Sequence, residues 1–109
     1  MSGDPPIAPE RLLELIDAQA APVIVDVRSR REFRAGHVPG AVNIPFWTII
    51  TAPIPATVED PLVVYCGHGP RAVAARSMLR WRGFRHVALL SGHMSAWHAK
   101  GLRSCEGTE

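Results

Sequence analysis

Three short apolar runs, each of strand length, do most to narrow what this chain can become. Val23-Ile24-Val25-Asp26-Val27 and Leu62-Val63-Val64-Tyr65 are β-branched and almost continuously apolar, and His86-Val87-Ala88-Leu89-Leu90 follows the same pattern after its first residue. The first run, without in–out alternation, suits a central strand of a parallel sheet covered on both faces, and the other two are of strand length. Helical periodicity fills the spaces between them. Pro9 opens a helix to about Ala18, with Leu12, Leu13, Leu15 and Ile16 as its apolar stripe and Arg11, Glu14 and Asp17 toward water. From Arg71 to Arg82 the small and apolar residues fall on two sides, Ala72, Ala75 and Leu79 on one and Ala74, Met78 and Trp81 on the other, until Gly83 stops the helix. A last short helix over residues 94–100 ends at Gly101. Strands alternating with helices predict an α/β fold, a parallel sheet with right-handed crossovers.

The remaining segments are less regular. Ser29 is placed to cap a short helix that Gly36 ends, and residues 36–45 are mostly turn with room for a strand at 41–43. Residues 46–57 begin with helical character but are broken at Pro53 and Pro55. No Asp, Glu, Lys or Arg occurs from residue 36 to 57, yet the repeated Gly and Pro, with polar His37 and Asn43, exclude a spanning helix there. The first six residues have neither the basic nor the apolar region of a secretory signal, so the chain reads as cytoplasmic, with no membrane partner. A length of 109 residues suits one domain with one core, and a net charge of +2 gives no case for nucleic acid. Two cysteines, Cys66 and Cys105, are too few for a disulfide framework and lack the spacing of a redox or zinc motif.

Cys66 is the residue with chemistry in it. It ends the second apolar run and opens Cys66-Gly67-His68-Gly69-Pro70-Arg71-Ala72, a glycine-rich turn facing the start of a helix. Unpaired N–H groups and the positive end of the helix dipole favour an anion there, and the same field favours thiolate over thiol. Gly67 and Gly69 permit the backbone angles that let successive N–H groups converge as a nest, while Pro70 removes one donor. In a parallel sheet, ligands bind beyond the carboxyl ends of strands. The turns at 26–28 and 91–93 lie at two other such ends and are expected to border the same site.

Taken in order, these residues resemble the rhodanese-like family. Asp26-Val27-Arg28, Glu32-Phe33, Gly36-His37-Val38-Pro39-Gly40-Ala41 and Asn43-Ile44-Pro45 look like the front half of such a domain. Tyr65-Cys66 with Arg71-Ala72 looks like its active-site loop, and Gly92, Trp97 and Gly101-Leu102 like its C-terminal signature. The resemblance implies a four- to five-stranded parallel sheet flanked by helices on both faces, with the cysteine loop after the fourth strand. It divides the chain into a flexible lead-in at 1–8, a domain at 9–102 and a tail at 103–109. It also implies a sulfurtransferase: Cys66 takes sulfur from thiosulfate or another sulfane donor as a persulfide, then passes it to cyanide, a thiol or a thioredoxin-like acceptor. No metal and no organic cofactor are expected.

On that reading Cys66 is catalytic. Gly67, His68, Gly69, Arg71 and Ala72 bind substrate, and Asp26 and Arg28 support the loop or simply pair with each other. Arg71 closes the cradle or stands as a solvated first-turn arginine, and His68 lines the entrance or is merely exposed. Cys-Gly-x-Gly is similar to the mercaptopyruvate-using branch, whereas Arg71 stands where that branch has Thr, so the donor stays open between thiosulfate and mercaptopyruvate. Two other readings compete. One is a regulatory rhodanese-like module that docks partners. The other is a phosphatase or arsenate reductase, against which stands the Cys66-x4-Arg71 count, one residue short of that branch's Cys-x5-Arg ring. His37, His93 and His98 lack metal spacing. Trp97 reads as core, residues 46–56 as core, lip or contact surface, and Cys105 as an unstructured thiol.

Overall fold

The computed structural model describes residues 4–108. Its elements run α1 (Pro9–Asp17), β1 (Val23–Asp26), α2 (Arg30–Ala35), β2 (Val42–Asn43), a 3-10 turn (Phe46–Thr48), β3 (Pro61–Tyr65), α3 (Pro70–Trp81), β4 (His86–Leu89) and α4 (His93–Ala99). The four strands form one parallel sheet in the order β2-β1-β3-β4. β1 and β3, the first two of the three apolar runs, take the centre, where burial on both faces favours continuous hydrophobicity, and the third run, β4, lies at the edge.

Successive side chains along these strands leave the sheet on opposite faces, and so they build two cores. Val25, Val27, Leu62, Val64 and Cys66 pack with Ala72, Ala75 and Leu79 of α3, and with Ile49 beyond the 3-10 turn. Ile24, Val63 and Tyr65 pack on the other face with Leu12 of α1, Phe33 of α2, and Met94 and Trp97 of α4. Helices therefore flank both faces. Trp97 is fully buried and its indole N–H donates to the Arg103 carbonyl, which pins the end of α4. Ser29 caps α2 in a complete capping box with Glu32. Among the described residues no helix is long and apolar enough to cross a membrane.

Four expectations change. Trp81, assigned to a second apolar side of α3, is 76% exposed, whereas Met78 of that side packs on the core. Arg82 fills the space beside it instead, donating to the carbonyls of Ile49 and Ala52 at 2.6 and 2.7 Å. The N-terminal lead-in is not loose at Ile7, which pairs with Leu90 as a parallel bridge and extends the β4 edge; residues 1–3 of that segment lie outside the described residues. Cys105 is not an unstructured thiol: its backbone forms an antiparallel bridge with His37, with bonds of 2.8 and 2.9 Å in the two directions. The cysteine loop follows β3, the third strand, and becomes fourth only if the Ile7 bridge is counted.

One turn carries an exacting steric demand. Gly92 has φ +72°, and a Cβ built there falls 2.4 Å from the Ala96 Cβ, so backbone strain and overlap act together. Gly92→Ala is expected to destabilise the fold by about 2–4 kcal/mol. Gly101 has a similar φ of +66° but nothing within 4 Å of the built Cβ, so Gly101→Ala should cost only the backbone part, about 1–2 kcal/mol. Urea midpoints for the two variants check the difference.

Candidate active site

Cys66 sits at the carboxyl end of β3 with its side chain fully buried on the α3 side. The chain turns at once, and the Gly69 N–H comes back to donate to Cys66 Sγ at 3.0 Å. Gly69 holds φ +136° as the residue before α3, and Pro70 occupies the first helical position. Pro70 thus removes a donor where the helix needs none, and its ring fixes the entry angle. Among the described residues no acceptor meets the N–H groups of Gly67, His68, Arg71 or Ala72. A sulfur at the end of a buried strand, with one amide already on it and further loop amides without an acceptor, is an arrangement that can stabilise developing negative charge.

The loop hangs from the start of α4. Met94 N–H donates to the Cys66 carbonyl at 3.0 Å and Ser95 N–H to the Gly67 carbonyl at 3.1 Å, while Cys66 N–H donates to His93 Nδ1 at 3.3 Å. Both backbone groups of Cys66 are therefore tied to the dipeptide His93-Met94. His93 adopts φ +56°, unusual for a non-glycine residue, and is buried with its ring edge against Gly69. Burial, and secondarily the nearby His68, hold its pKa below the ordinary histidine value, which suits an Nδ1 that accepts a hydrogen bond. Sequence reasoning placed the 91–93 turn beside the site but weighed His93 only as a metal ligand. The available signal was a bulky residue directly after Gly92 at a strand-to-helix turn.

Arg71 is neither free nor merely solvated. Its guanidinium pairs with both Glu32 oxygens at 2.7 and 3.1 Å, and its Nη2 lies close against Gly67. Glu32 Oε1 also accepts the Ser29 N–H and hydroxyl, so one carboxylate caps α2 and anchors the arginine of α3. That Arg71 fork, more than the Ser29 bonds, holds the Glu32 carboxyl down at about 2. A carboxylate depressed in this way adds stability that is present above its unfolded pKa and lost as pH falls toward 2, so the clamp stays closed through mildly acidic solution. Glu32→Gln should lower the KM for a dianionic donor about three- to ten-fold by removing a negative charge at the entrance, with kcat little changed; steady-state kinetics on thiosulfate check this.

Asp26 and Arg28 make a buried fork, with Arg28 Nη2 at 2.7 Å from Asp26 Oδ2 and also 2.7 Å from the Gly36 carbonyl. The Arg28 guanidinium lies over the Tyr65 ring, whose hydroxyl accepts the Val38 N–H at 3.0 Å and whose pKa burial pushes far up. Asn43 Nδ2 donates to the carbonyls of Asp26 and Arg28. This cluster joins the strand ends to the 36–38 turn beside the cysteine loop. Arg28 also lines, with Glu32, Gly67, His68, Met94, Ser95 and His98, a hollow of about 350 Å³ that opens next to Cys66. The structure thus gathers Cys66, Gly67, His68, Gly69, Arg71, Asp26 and Arg28 into one neighbourhood. Ala72 stands in the first turn of α3, and its side chain belongs to the core. Among the described residues no group of three or more His, Cys, Asp or Glu side chains has the arrangement of a metal site.

Comparison with known proteins agrees with this fold. A family model described as "Rhodanese-like domain" matches residues 8–100. A thiosulfate sulfurtransferase GlpE of Shewanella oneidensis is 34% identical over 98 residues, covering 90% of this chain and 96% of the relative. One from Pseudomonas putida is 33% identical over 93 residues, covering 85% and 84%. Among solved structures, the human single-domain sulfurtransferase TSTD1 superposes with a TM-score of 0.79 at 29% identity, covering 90% of this chain and 98% of that one. The Alr3790 protein of Anabaena gives 0.82 at 27% identity, covering 92% and 82%.

Proposed function

The chain belongs to the rhodanese-like domain family, and from that premise we propose that this sulfurtransferase works through a persulfide on Cys66, with thiosulfate as its first donor. The observation that carries the reading is the Cys66 Sγ at a strand end, holding the Gly69 N–H in a loop whose Gly67, His68 and Arg71 N–H groups meet no acceptor among the described residues.

The Cys66 thiolate attacks the outer sulfur of thiosulfate, the donor S–S bond breaks, and sulfite leaves with the electron pair. The new persulfide carries its charge on the terminal sulfur, where the N–H groups of Gly67, His68 and Arg71 become partners. An acceptor thiolate, or cyanide, then attacks that terminal sulfur and Cys66 departs as thiolate. His93 and the start of α4 hold the Cys66 backbone still while the sulfur changes partners. Arg71, tied to Glu32, walls the entrance as an orienting group, and His68 and His98 stand at the mouth of the hollow. Asp26 and Arg28 position the loop from below. The catalytic unit is the domain at 9–102, with 1–8 and 103–109 as flanking segments, a division that the family match over 8–100 supports. Two free thiols suit a reducing, cytoplasmic setting.

The test is direct. The protein is incubated with thiosulfate and, separately, with mercaptopyruvate, and intact mass is read for one added sulfur atom that cyanide removes as thiocyanate. Peptide mapping is expected to place that atom on Cys66 after thiosulfate. Failure of both donors to load it would sink the persulfide reading.

A further inference from the structure

β2 is an edge strand, and the surface beside it is unused by the chemistry above. Two hollows of about 420 and 410 Å³ meet there at Arg30 and Asn43. The first runs along residues 40–42 between Phe33 and Thr108, and the second continues past Pro45 to Trp47. The Ile44 N–H bonds inward to the Asp26 carbonyl at 2.9 Å, so by alternation the Asn43 N–H and C=O project outward from the sheet. Arg30 overlooks this edge from α2, and Arg34, four residues on, shares its helix face. Among the described residues neither arginine has an ion pair or a side-chain hydrogen bond. Trp47, 62% exposed, ends the groove with an aromatic face.

Unpaired strand backbone, two arginines without an ion pair among the described residues and an exposed indole match an extended peptide of acidic character. β2 lies two strands from β3 in the sheet, roughly 10 Å across, with their carboxyl ends on the same side. We propose that this groove docks an extended acidic segment of a protein acceptor, adding it to the β2 edge so that a neighbouring thiol reaches the Cys66 persulfide. The inference rests on the sulfurtransferase reading for its purpose, though not for the binding itself.

Two measurements test it. Binding is followed on the unloaded protein with a peptide of alternating Val and Glu, and with its Val–Lys counterpart, by amide chemical shifts. The Glu peptide should shift the Asn43 amide, and the Lys peptide should not. Transfer is followed in single turnover from protein already carrying the Cys66 persulfide, with the same peptides ending in Cys and with neutral 2-mercaptoethanol. Below saturation the Glu peptide should accept sulfur about ten-fold faster than the Lys peptide. The Arg30→Glu, Arg34→Glu double variant should erase that preference and leave the mercaptoethanol rate unchanged. Equal rates for the two peptides, a preference that survives the double variant, or shifts confined to other edges would overturn the proposal. So would self-association through this edge, seen as a doubled mass that Arg30→Glu abolishes. If Cys66 never loads sulfur, the persulfide reading falls, and the shift measurement still decides the docking.

Discussion

Cys66→Ser is expected to lower sulfur transfer from thiosulfate to cyanide by at least about a thousand-fold, because the serine oxygen cannot carry the transferred sulfur through both half-reactions. The fold should survive. Serine keeps the size of the side chain, and its hydroxyl can accept the Gly69 N–H that now meets Sγ at 3.0 Å. The added cost is that of placing a more polar atom in a fully buried position next to Ala72 and Val64, on the order of 1–2 kcal/mol. Intact mass after thiosulfate should show no added sulfur on the variant. Cys105→Ala should load and transfer as the native chain does, since its backbone pairs with His37 on the α2 side of the molecule. A Cys66→Ser protein that still turns over within ten-fold of native would remove the persulfide from the mechanism.

The largest loss of stability is expected at Asp26. Asp26→Asn keeps the shape but strips the charge that faces Arg28, leaving a guanidinium only 8% exposed without its counterion. Breaking one side of such a pair costs about 3–5 kcal/mol. At about 4–8 °C per kcal/mol for a domain of this size, the melting temperature should fall by at least about 12 °C. Asp26→Leu with Arg28→Met removes both charges and should recover part of that loss, because the desolvation of each ion disappears with it. Thermal melts of the single and double variants decide the matter. A single-variant loss under about 1 kcal/mol would mean that the fork contributes little to holding the turn.

Particular residues show why some of this was legible beforehand. β1, β3 and α3 announced themselves because central strands need continuous apolar runs, and a helix on a sheet needs small residues at the spacing of Ala72, Ala75 and Leu79. Ser29 was legible as a cap because a serine directly before a short helical run can accept that helix's first amides, whereas the reciprocal bond from Glu32 emerged with the structure. Glu32 was the residue underestimated: its bond to Arg71 spans 39 positions and depends on how α2 lies against α3. Trp81 was misplaced because helical periodicity counts faces without knowing how wide the neighbour on each face is. Arg82 and the 3-10 turn filled that side instead. Cys105 carried no local signal, since its partner strand residue His37 lies far back in the chain.

By itself the sequence determined that Cys66 would end a buried strand and face a helix start, because apolar run, glycines and helical spacing are properties of adjacent residues. It likewise determined the parallel α/β class, which follows from the alternation of those runs. Only the tertiary structure decided what surrounds the sulfur. It brought His93 under the loop and closed Arg71 onto Glu32. Among the described residues it also left the amides of Gly67, His68, Arg71 and Ala72 without an acceptor, and it set Arg30 above an open strand edge. Those relations join residues distant in the chain, and they exist only once two hydrophobic faces of one sheet have been buried under helices from four separate segments.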